Sequence, residues 1–408
     1  MAVIRPFKAL RAAPDAAELV ASVPYDIVTT KEARALARGN ELSFLHVIRS
    51  EIDLPEGTDL YADEVYERAA KNLAALKRRG ALIEEERPSL YIYRLRSGGN
   101  EQVGMAACCS VEEYEKGLIR KHEFTRRDKE DDRLRHMLTL SAHAGPVLMI
   151  YRALSEVDGL VEAELKKPPL YDFTDPDGVQ HTLWRAERTD EIVKAFEEVP
   201  LLYIADGHHR AAGAARVKQA LMQEGRPARG GGEFYFFPAV LFPSDQMRIL
   251  PYNRYVSDLG GLDEVSFLES VRERFEVSPD IEPEPGGKGT FGMYLGGTWY
   301  GLRLKEDFAN RTGDPVSLLD LTLFSKNLLE PVLGIVDQKK DERVEFVGGA
   351  DSVRKIENLV DDKGGVGFTL YPVSVDELLA VADAEMIMPP KSTWFSPKLR
   401  SGLLIHQF

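Results

Sequence analysis

Val199-Pro200-Leu201-Leu202-Tyr203-Ile204-Ala205-Asp206-Gly207-His208-His209-Arg210 is the stretch from which the fold is read. Its first half is an apolar run of strand length. Its second half empties through a glycine into Ala211-Ala212-Gly213-Ala214-Ala215, the start of a small-residue helix that runs to about Gln223. A strand that turns through glycine into a helix brings backbone N–H groups and the positive end of the helix dipole to one point, which suits a phosphate. Gly207 leaves room for close approach, Arg210 offers a planar fork, and His208 and His209 add donors near neutral pH. The plainer reading makes Asp206 an N-cap and the histidines a cover for the helix start. A cap does not account for two histidines and an arginine together.

Working outward, the same alternation of strand and helix recurs. Ala62 to Leu82 carries Val65, Ala69, Leu73 and Leu76 at helical spacing, and so reads as an amphipathic helix. Ser89–Leu95 and Gln102–Val111 flank Ser97-Gly98-Gly99-Asn100, a hairpin signal, and Asp175-Pro176-Asp177-Gly178 marks a second hairpin. Gly145 to Tyr151 and Glu233 to Phe242 read as buried strands, with a Gly/Arg-rich loop over Glu224 to Gly232. After about Asn253 the pattern restarts with a helix near Ser266 to Phe275, a Pro/Gly linker at Glu282 to Gly287, and a hairpin around Gly296-Gly297. A helical stretch near Ser317 to Leu329 follows, and a last segment ends in Met388 to Phe408. The expected fold class is α/β with mixed α+β sheets. Three segments are expected: 1–104, a core at 105–252 holding the Asp206–Arg210 box, and a C-terminal α/β domain at 253–408 whose tail returns to the site.

The 408 residues are too many for one ordinary core. With 44% apolar and 29% charged residues the chain has a globular composition, and its net charge of −14 argues against a non-specific nucleic-acid binder. The only cysteines, Cys108 and Cys109, are adjacent and lie in an apolar run, so they read as buried small hydrophobes in a reducing compartment. No apolar run reaches the ~18 residues of a membrane span, and the expected location is the cytoplasm.

From Glu112 to His143 apolar periodicity weakens, which predicts a long functional loop or a pair of short helices. Within it, Lys121-His122-Glu123 joins cation, imidazole and carboxylate, and Glu123 suits a general base or a hard ligand for Mg²⁺. Arg126 to Arg133 fits either a solvated charge ladder or a substrate contact. His136 and His143 match no zinc spacing. In Met388-Pro389-Pro390-Lys391-Ser392-Thr393-Trp394-Phe395-Ser396-Pro397-Lys398, Lys391, Ser392 and Thr393 suit anion contact, and Trp394 or Phe395 suits covering an adenine. The equal alternative is a tail that docks through its aromatics. Pro24-Tyr25-Asp26 and Ser43-Phe44-Leu45-His46 are, alone, turn and packing signals. No Walker loop, nucleophile elbow or dinucleotide fingerprint is present.

The Asp206–Arg210 box resembles the phosphate-binding box of the ParB/sulfiredoxin superfamily, most closely its Asp-Gly-His-His-Arg form in SerK-like free L-serine kinases. The other segments resemble a long branch of that group known as a domain of unknown function: Pro24-Tyr25-Asp26, Ser43–His46, Lys121–Glu123 with Lys129–Arg133, and Pro389–Thr393. The resemblance implies phosphoryl transfer from ATP or ADP to the hydroxyl of free serine. Asp206, Gly207, His208, His209, Arg210, Lys391, Ser392 and Thr393 would then hold the donor phosphates. Glu123 would act as base, aided by His122 and Lys121, with Asp26, His46, Arg126 and Arg133 at the substrate. Mg²⁺ would sit on Glu123 and Asp206. The implied partners are a nucleotide and a small acceptor, serine first, with no DNA and no membrane; a homodimer is admitted. Sulfiredoxins need a cysteine where His208 stands, and no basic helix-turn-helix of ParB type follows residue 253. A nucleotide-binding switch without chemistry and a metal-dependent phosphohydrolase are the rival readings.

Overall fold

The computed structural model describes residues 2–226, 232–309 and 313–408; residues 227–231 of the expected Gly/Arg-rich loop lie outside them. The chain divides into two compact units, Met1–Met247 with Pro397–Phe408, and Arg248–Ser396. The break expected at 104/105 falls inside a strand, so the N-terminal segment and the core make one unit. The second break comes at 247/248, and the tail from Pro397 belongs to the first unit.

The first unit is built on a nine-stranded mixed sheet. Across it run Ile119–Arg120, Leu202–Asp206, Val147–Tyr151, Phe236–Pro243, Asn100–Ser110, Tyr91–Ser97, Gln180–Arg185 and Tyr171–Thr174, and Ile4–Arg5 pairs with Asn100–Ser110. Both expected hairpins are present, Tyr91–Ser97 with Asn100–Ser110 and Tyr171–Thr174 with Gln180–Arg185. Two pairings are parallel, Leu202–Asp206 with Ile119–Arg120 and Phe236–Pro243 with Val147–Tyr151. The core packs Met149, Ile204, Phe237 and Trp184, all buried, with Cys109. Each large side chain of this kind contributes roughly 1.5–3 kcal/mol on burial. Cys108 and Cys109 are free and buried, and burial pushes both thiols up, which leaves them inert.

The amphipathic helix forms over Asp63–Arg78 with Val65, Ala69, Leu73 and Leu76 on its buried face. The charged stretch follows the second of the two expected forms, a pair of helices, Val111–Glu115 and a longer one, in place of a long loop. It contains a 14-residue helix, Arg127–Leu140, whose buried face is Arg133, His136, Met137 and Leu140. The i, i+3, i+4, i+7 spacing is intact, but two of the four positions are polar, so apolar periodicity alone misses it. Gly213 lets this helix approach His208–Gln223, because a Cβ there would stand 3.1 Å from Arg133 Cβ and 3.3 Å from Met137 Cε.

The C-terminal residues are structural to this unit. Leu404–Gln407 is an inner strand of a four-stranded sheet, between Ala9–Ala12 and Ala142–His143, with Leu82–Glu84 beyond Ala9–Ala12. Just before it, buried Arg400 donates through Nε to Asp175 Oδ2 at 2.9 Å and through Nη2 to Asp177 Oδ2 at 2.6 Å. Asp175 Oδ2 also accepts from His181 Nε2 at 2.7 Å, and His181 Nδ1 meets the Tyr93 hydroxyl at 2.8 Å. Burial pushes the Asp175 carboxyl up, but the His181 hydrogen bond and the Arg400 charge outweigh it and hold the group below its ordinary value.

The second unit carries a six-stranded antiparallel sheet in the order Phe275–Pro279, Thr298–Leu304, Thr290–Leu295, Val366–Leu370, Tyr252–Val256, Val344–Gly348. Phe267, Phe291, Phe324 and Phe368 fill its core. Among the described residues no helix is long and apolar enough to cross a membrane.

Replacing Arg400 by Met leaves the buried Asp175 carboxylate without its cationic partner, and a loss of about 3–5 kcal/mol is expected in urea unfolding at pH 7. Because the Asp175 pKa is lowered on folding, the stabilisation is present above its unfolded value near ~4 and is lost as pH falls through its folded value. The gap between wild type and variant should therefore close in acid; an equal gap at pH 7 and pH 3 would count against the pairing.

Candidate functional site

The Leu202–Asp206 strand reaches the site through a bulge. Ile204 pairs with Met149 and Asp206 with Leu148, so Ala205 is the extra residue that re-aims Asp206. Gly207 follows at φ +96°, and the helix His208–Gln223 begins with Gly207 as its cap residue and no side-chain cap. Asp206 is therefore not the N-cap. The positive helix end is left without a carboxylate cap of its own.

Arg210 differs from the expected phosphate fork. Its guanidinium folds back over the turn, Nη1 donating to the Pro146 carbonyl and Nη2 to Asp206 Oδ2 at 2.9 Å. A Cβ on Gly207 would lie 2.8 Å from Arg210 Nε and 2.9 Å from Cζ. Gly207 is thus needed for its left-handed backbone and for the fold-back of Arg210. Lys398 Nζ, from the tail, stands 3.5 Å from Asp206 Oδ1. With cations on both oxygens, Asp206 does not fit as a Mg²⁺ ligand.

His208 is 4% exposed and meets His122 edge to face, with ring centroids 4.5 Å apart. Burial pushes His208 down to about 3, and burial with the neighbouring His208 pushes His122 down to about 3. Both rings are neutral at pH 7 rather than cationic anchors. His208 Nε2 and His122 Nδ1 are buried and have no hydrogen-bond partner among the described residues. Buried nitrogens of this kind are ordinarily satisfied by a water or a ligand. His208 Nδ1 faces Glu123 Oε2 at 3.9 Å. His209 Nε2 accepts the backbone N–H of Arg126 at 3.1 Å. The 121–126 segment is thereby brought onto the box from some eighty residues upstream.

The other expected residues divide. Lys121 Nζ lies 4.6 Å over the Tyr114 ring, and exposed Arg126 pairs with Asp128 through two bonds of 3.1 and 2.8 Å. Arg133 is buried, 3.8 Å over the Tyr25 ring, and donates twice to Asp132, at 3.0 and 2.6 Å. Burial raises the Tyr25 hydroxyl, with Arg133 opposing and Asp26 adding to the rise. Asp26 also favours the charged form of Arg133, so Pro24-Tyr25-Asp26 and Arg133 form one cluster. His46 is placed elsewhere in the unit, in a cavity of about 230 Å³ lined by Glu41, Asp53, Asn72 and Arg79 among others. Its Nδ1 meets Asp53 Oδ1 at 2.7 Å and its Nε2 the Asn40 carbonyl at 3.2 Å. Two acceptors demand the imidazolium, and the Asp53 hydrogen bond raises the pKa.

Lys391, Ser392 and Thr393 belong to the second unit. Buried Arg254 donates to the carbonyls of Pro390 at 2.9 Å and Lys391 at 3.0 Å, and Ser392 Oγ donates to Pro389 O at 2.6 Å. Lys391 Nζ lies 5.5 Å over Tyr252. Trp394 packs edge-on to Tyr252 at 5.3 Å, and Phe395 is buried, so neither is an open aromatic surface. Sequence reasoning missed the stacking of His122 on His208 and of Arg133 on Tyr25, for which spacing carries no signal.

Fold and site together define a mixed α/β protein built around an uncapped strand-to-helix junction. The chain belongs to the family described as protein of unknown function, DUF1015, whose model matches residues 4–322. No curated protein matches it. Among solved structures it is similar to a mutant free serine kinase in complex with AMP (14% identity, TM-score 0.36), covering 73% of this chain and 92% of that one. A conserved hypothetical protein from Pyrococcus furiosus is similar at 13% and 0.36, covering 73% and 94%. SbnI with a C-terminal truncation, from Staphylococcus aureus, is similar at 13% and 0.38, covering 72% and 85%.

Imidazole NMR should show His122 and His208 not titrating between pH 5 and 8, with His46 titrating above its ordinary value. The signs are opposite. Stability from neutral His122 and His208 is lost as pH falls below about 6.5, whereas that from His46 is full below about 6.5 and lost as pH rises through its folded value. Titration of His208 near 6.5 would refute its buried neutral state. Gly207→Ala should cost about 1–3 kcal/mol in thermal or urea unfolding through the positive φ alone, and an unchanged midpoint would overturn the left-handed backbone at this position.

Proposed function

We propose that the protein is a small-molecule kinase that transfers a phosphoryl group from ATP or ADP to the hydroxyl of free L-serine, giving O-phospho-L-serine, on a ParB/sulfiredoxin-like nucleotide-binding core. One observation carries the reading. The Glu123 carboxylate stands beside the uncapped helix start, 3.9 Å from His208 Nδ1, and no lysine or arginine among the described residues pairs with it. A carboxylate with neutral imidazole beside it can accept a proton, and the helix end next to it attracts phosphate. Its side chain is 34% exposed, enough for an acceptor to reach it. The likeness of the Asp206–Arg210 motif to the box of free-serine kinases points the same way.

The chemistry balances simply. The serine hydroxyl passes its proton to Glu123 as its oxygen bonds to the terminal phosphorus, and the bond from that phosphorus to the bridging oxygen breaks, releasing ADP or AMP. Positioning and charge neutralisation are what such a step requires of a protein. Mg²⁺ would neutralise the donor phosphates, with Glu123 offering one hard oxygen. Among the described residues no three His, Cys, Asp or Glu side chains stand together as a metal cage, so the cation would arrive with the nucleotide. Asp206, Gly207 and Arg210 shape the turn, and Lys398 adds positive charge beside it.

Incubation with ATP, ADP or pyrophosphate and Mg²⁺, with and without L-serine, followed by phosphorus NMR, tests this. Phosphoserine should form, and Glu123→Gln should lower its rate about 100-fold or more. Full activity in that variant would remove Glu123 as base. Phosphate release without acceptor would favour a hydrolase, and tight binding without turnover a switch.

A further inference from the structure

Phe124 is the large apolar side chain that the site leaves unused. It is 68% exposed, whereas the other exposed aromatics among the described residues, Tyr61 and Phe308, are 41% and 37% exposed. It also sits in a short segment pinned at both ends. On one side, His122 is locked against His208 and Glu123 faces the same ring. On the other, the Arg126 N–H is bonded to His209. Successive Cα atoms are about 3.8 Å apart, so Phe124 lies within about 8 Å of a residue bonded directly to the box. An aromatic left in water on an anchored segment is a different object from one on a free loop, because little ordering remains when a flat partner packs on it.

We propose that Phe124 is the platform on which the base of the bound nucleotide stacks, making it a specificity residue of the nucleotide site. The occupant follows from the chemistry beside it. The uncapped helix start and the two unpartnered imidazole nitrogens, His208 Nε2 and His122 Nδ1, take the polar phosphate end. Phe124, the exposed aromatic on that segment, takes a planar π-face, and a nucleoside phosphate joins those two features in one molecule. Trp394 and Phe395, the aromatics that the sequence offered for this task, are packed within the second unit. This inference rests on the nucleotide reading above.

Calorimetric titration of the full chain with Mg-ATP and with Mg-tripolyphosphate separates the two ideas. The wild type should bind both. Phe124→Ala should weaken ATP roughly five- to a hundred-fold, as loss of a base–aromatic stack does, while tripolyphosphate stays within about two-fold. Phe124→Trp should retain ATP affinity, with indole emission changed by ATP and not by tripolyphosphate. Equal ATP affinity in wild type and Phe124→Ala overturns the platform, and so does parallel loss of tripolyphosphate, which would mark a merely structural side chain. A wild type that binds neither probe overturns the nucleotide reading itself, and it does so before any variant is compared.

Discussion

Arg210 folds back across the turn that precedes its own helix, and the candidate site is arranged around that contact. One arm of the guanidinium holds the Pro146 carbonyl and the other holds Asp206. The volume it occupies is the volume a Cβ on Gly207 would take. A charged group with most of its surface removed from water must be paired, and here the pairing also closes the turn. The carboxylate that might have capped the helix is thereby turned to Arg210 and Lys398, and the helix start remains without a side-chain cap. The open helix start follows from a carboxylate being engaged elsewhere.

The same logic governs the histidines. His208 and His122 share a buried, edge-to-face contact in which a proton on either ring would be poorly solvated, so both stay neutral. Neutral imidazoles beside Glu123 offer its carboxylate no positive charge. His46 is the counterexample within the same unit. Held between Asp53 and a carbonyl, it favours the charged form and serves to tie the Asn40 turn to the neighbouring helix.

Much of the local structure was legible from pattern. Turn chemistry at Ser97–Asn100 and Asp175–Gly178 marked both hairpins, and Val65, Ala69, Leu73 and Leu76 marked the helix over Asp63–Arg78. The Arg127–Leu140 helix was legible only as one of two alternatives, because Arg133 and His136 occupy positions where pattern reading expects apolar side chains. Arg133 is paired by its neighbour Asp132, but what holds it inward is the Tyr25 ring, and His136 meets the Val47 carbonyl; no local window contains either of those contacts. The extent of the first unit was hidden for a related reason. Pro397–Phe408 joins it through strand pairing and the Arg400–Asp175 contact, over more than two hundred residues of chain.

The sequence by itself determined the strand, the glycine turn and the small-residue helix that make the Asp206–Arg210 junction, because hydrophobic period and glycine placement are local properties. It also singled out Glu123 by the company it keeps in Lys121-His122-Glu123. Only the tertiary structure decided what those residues do. It turned Arg210 inward, made His122 and His208 a neutral pair, gave Gly207 a steric duty, and set Lys391, Ser392 and Thr393 within the second unit. Each of those outcomes depends on burial or on a partner far away in sequence, and neither desolvation nor long-range contact is encoded in residue type or spacing.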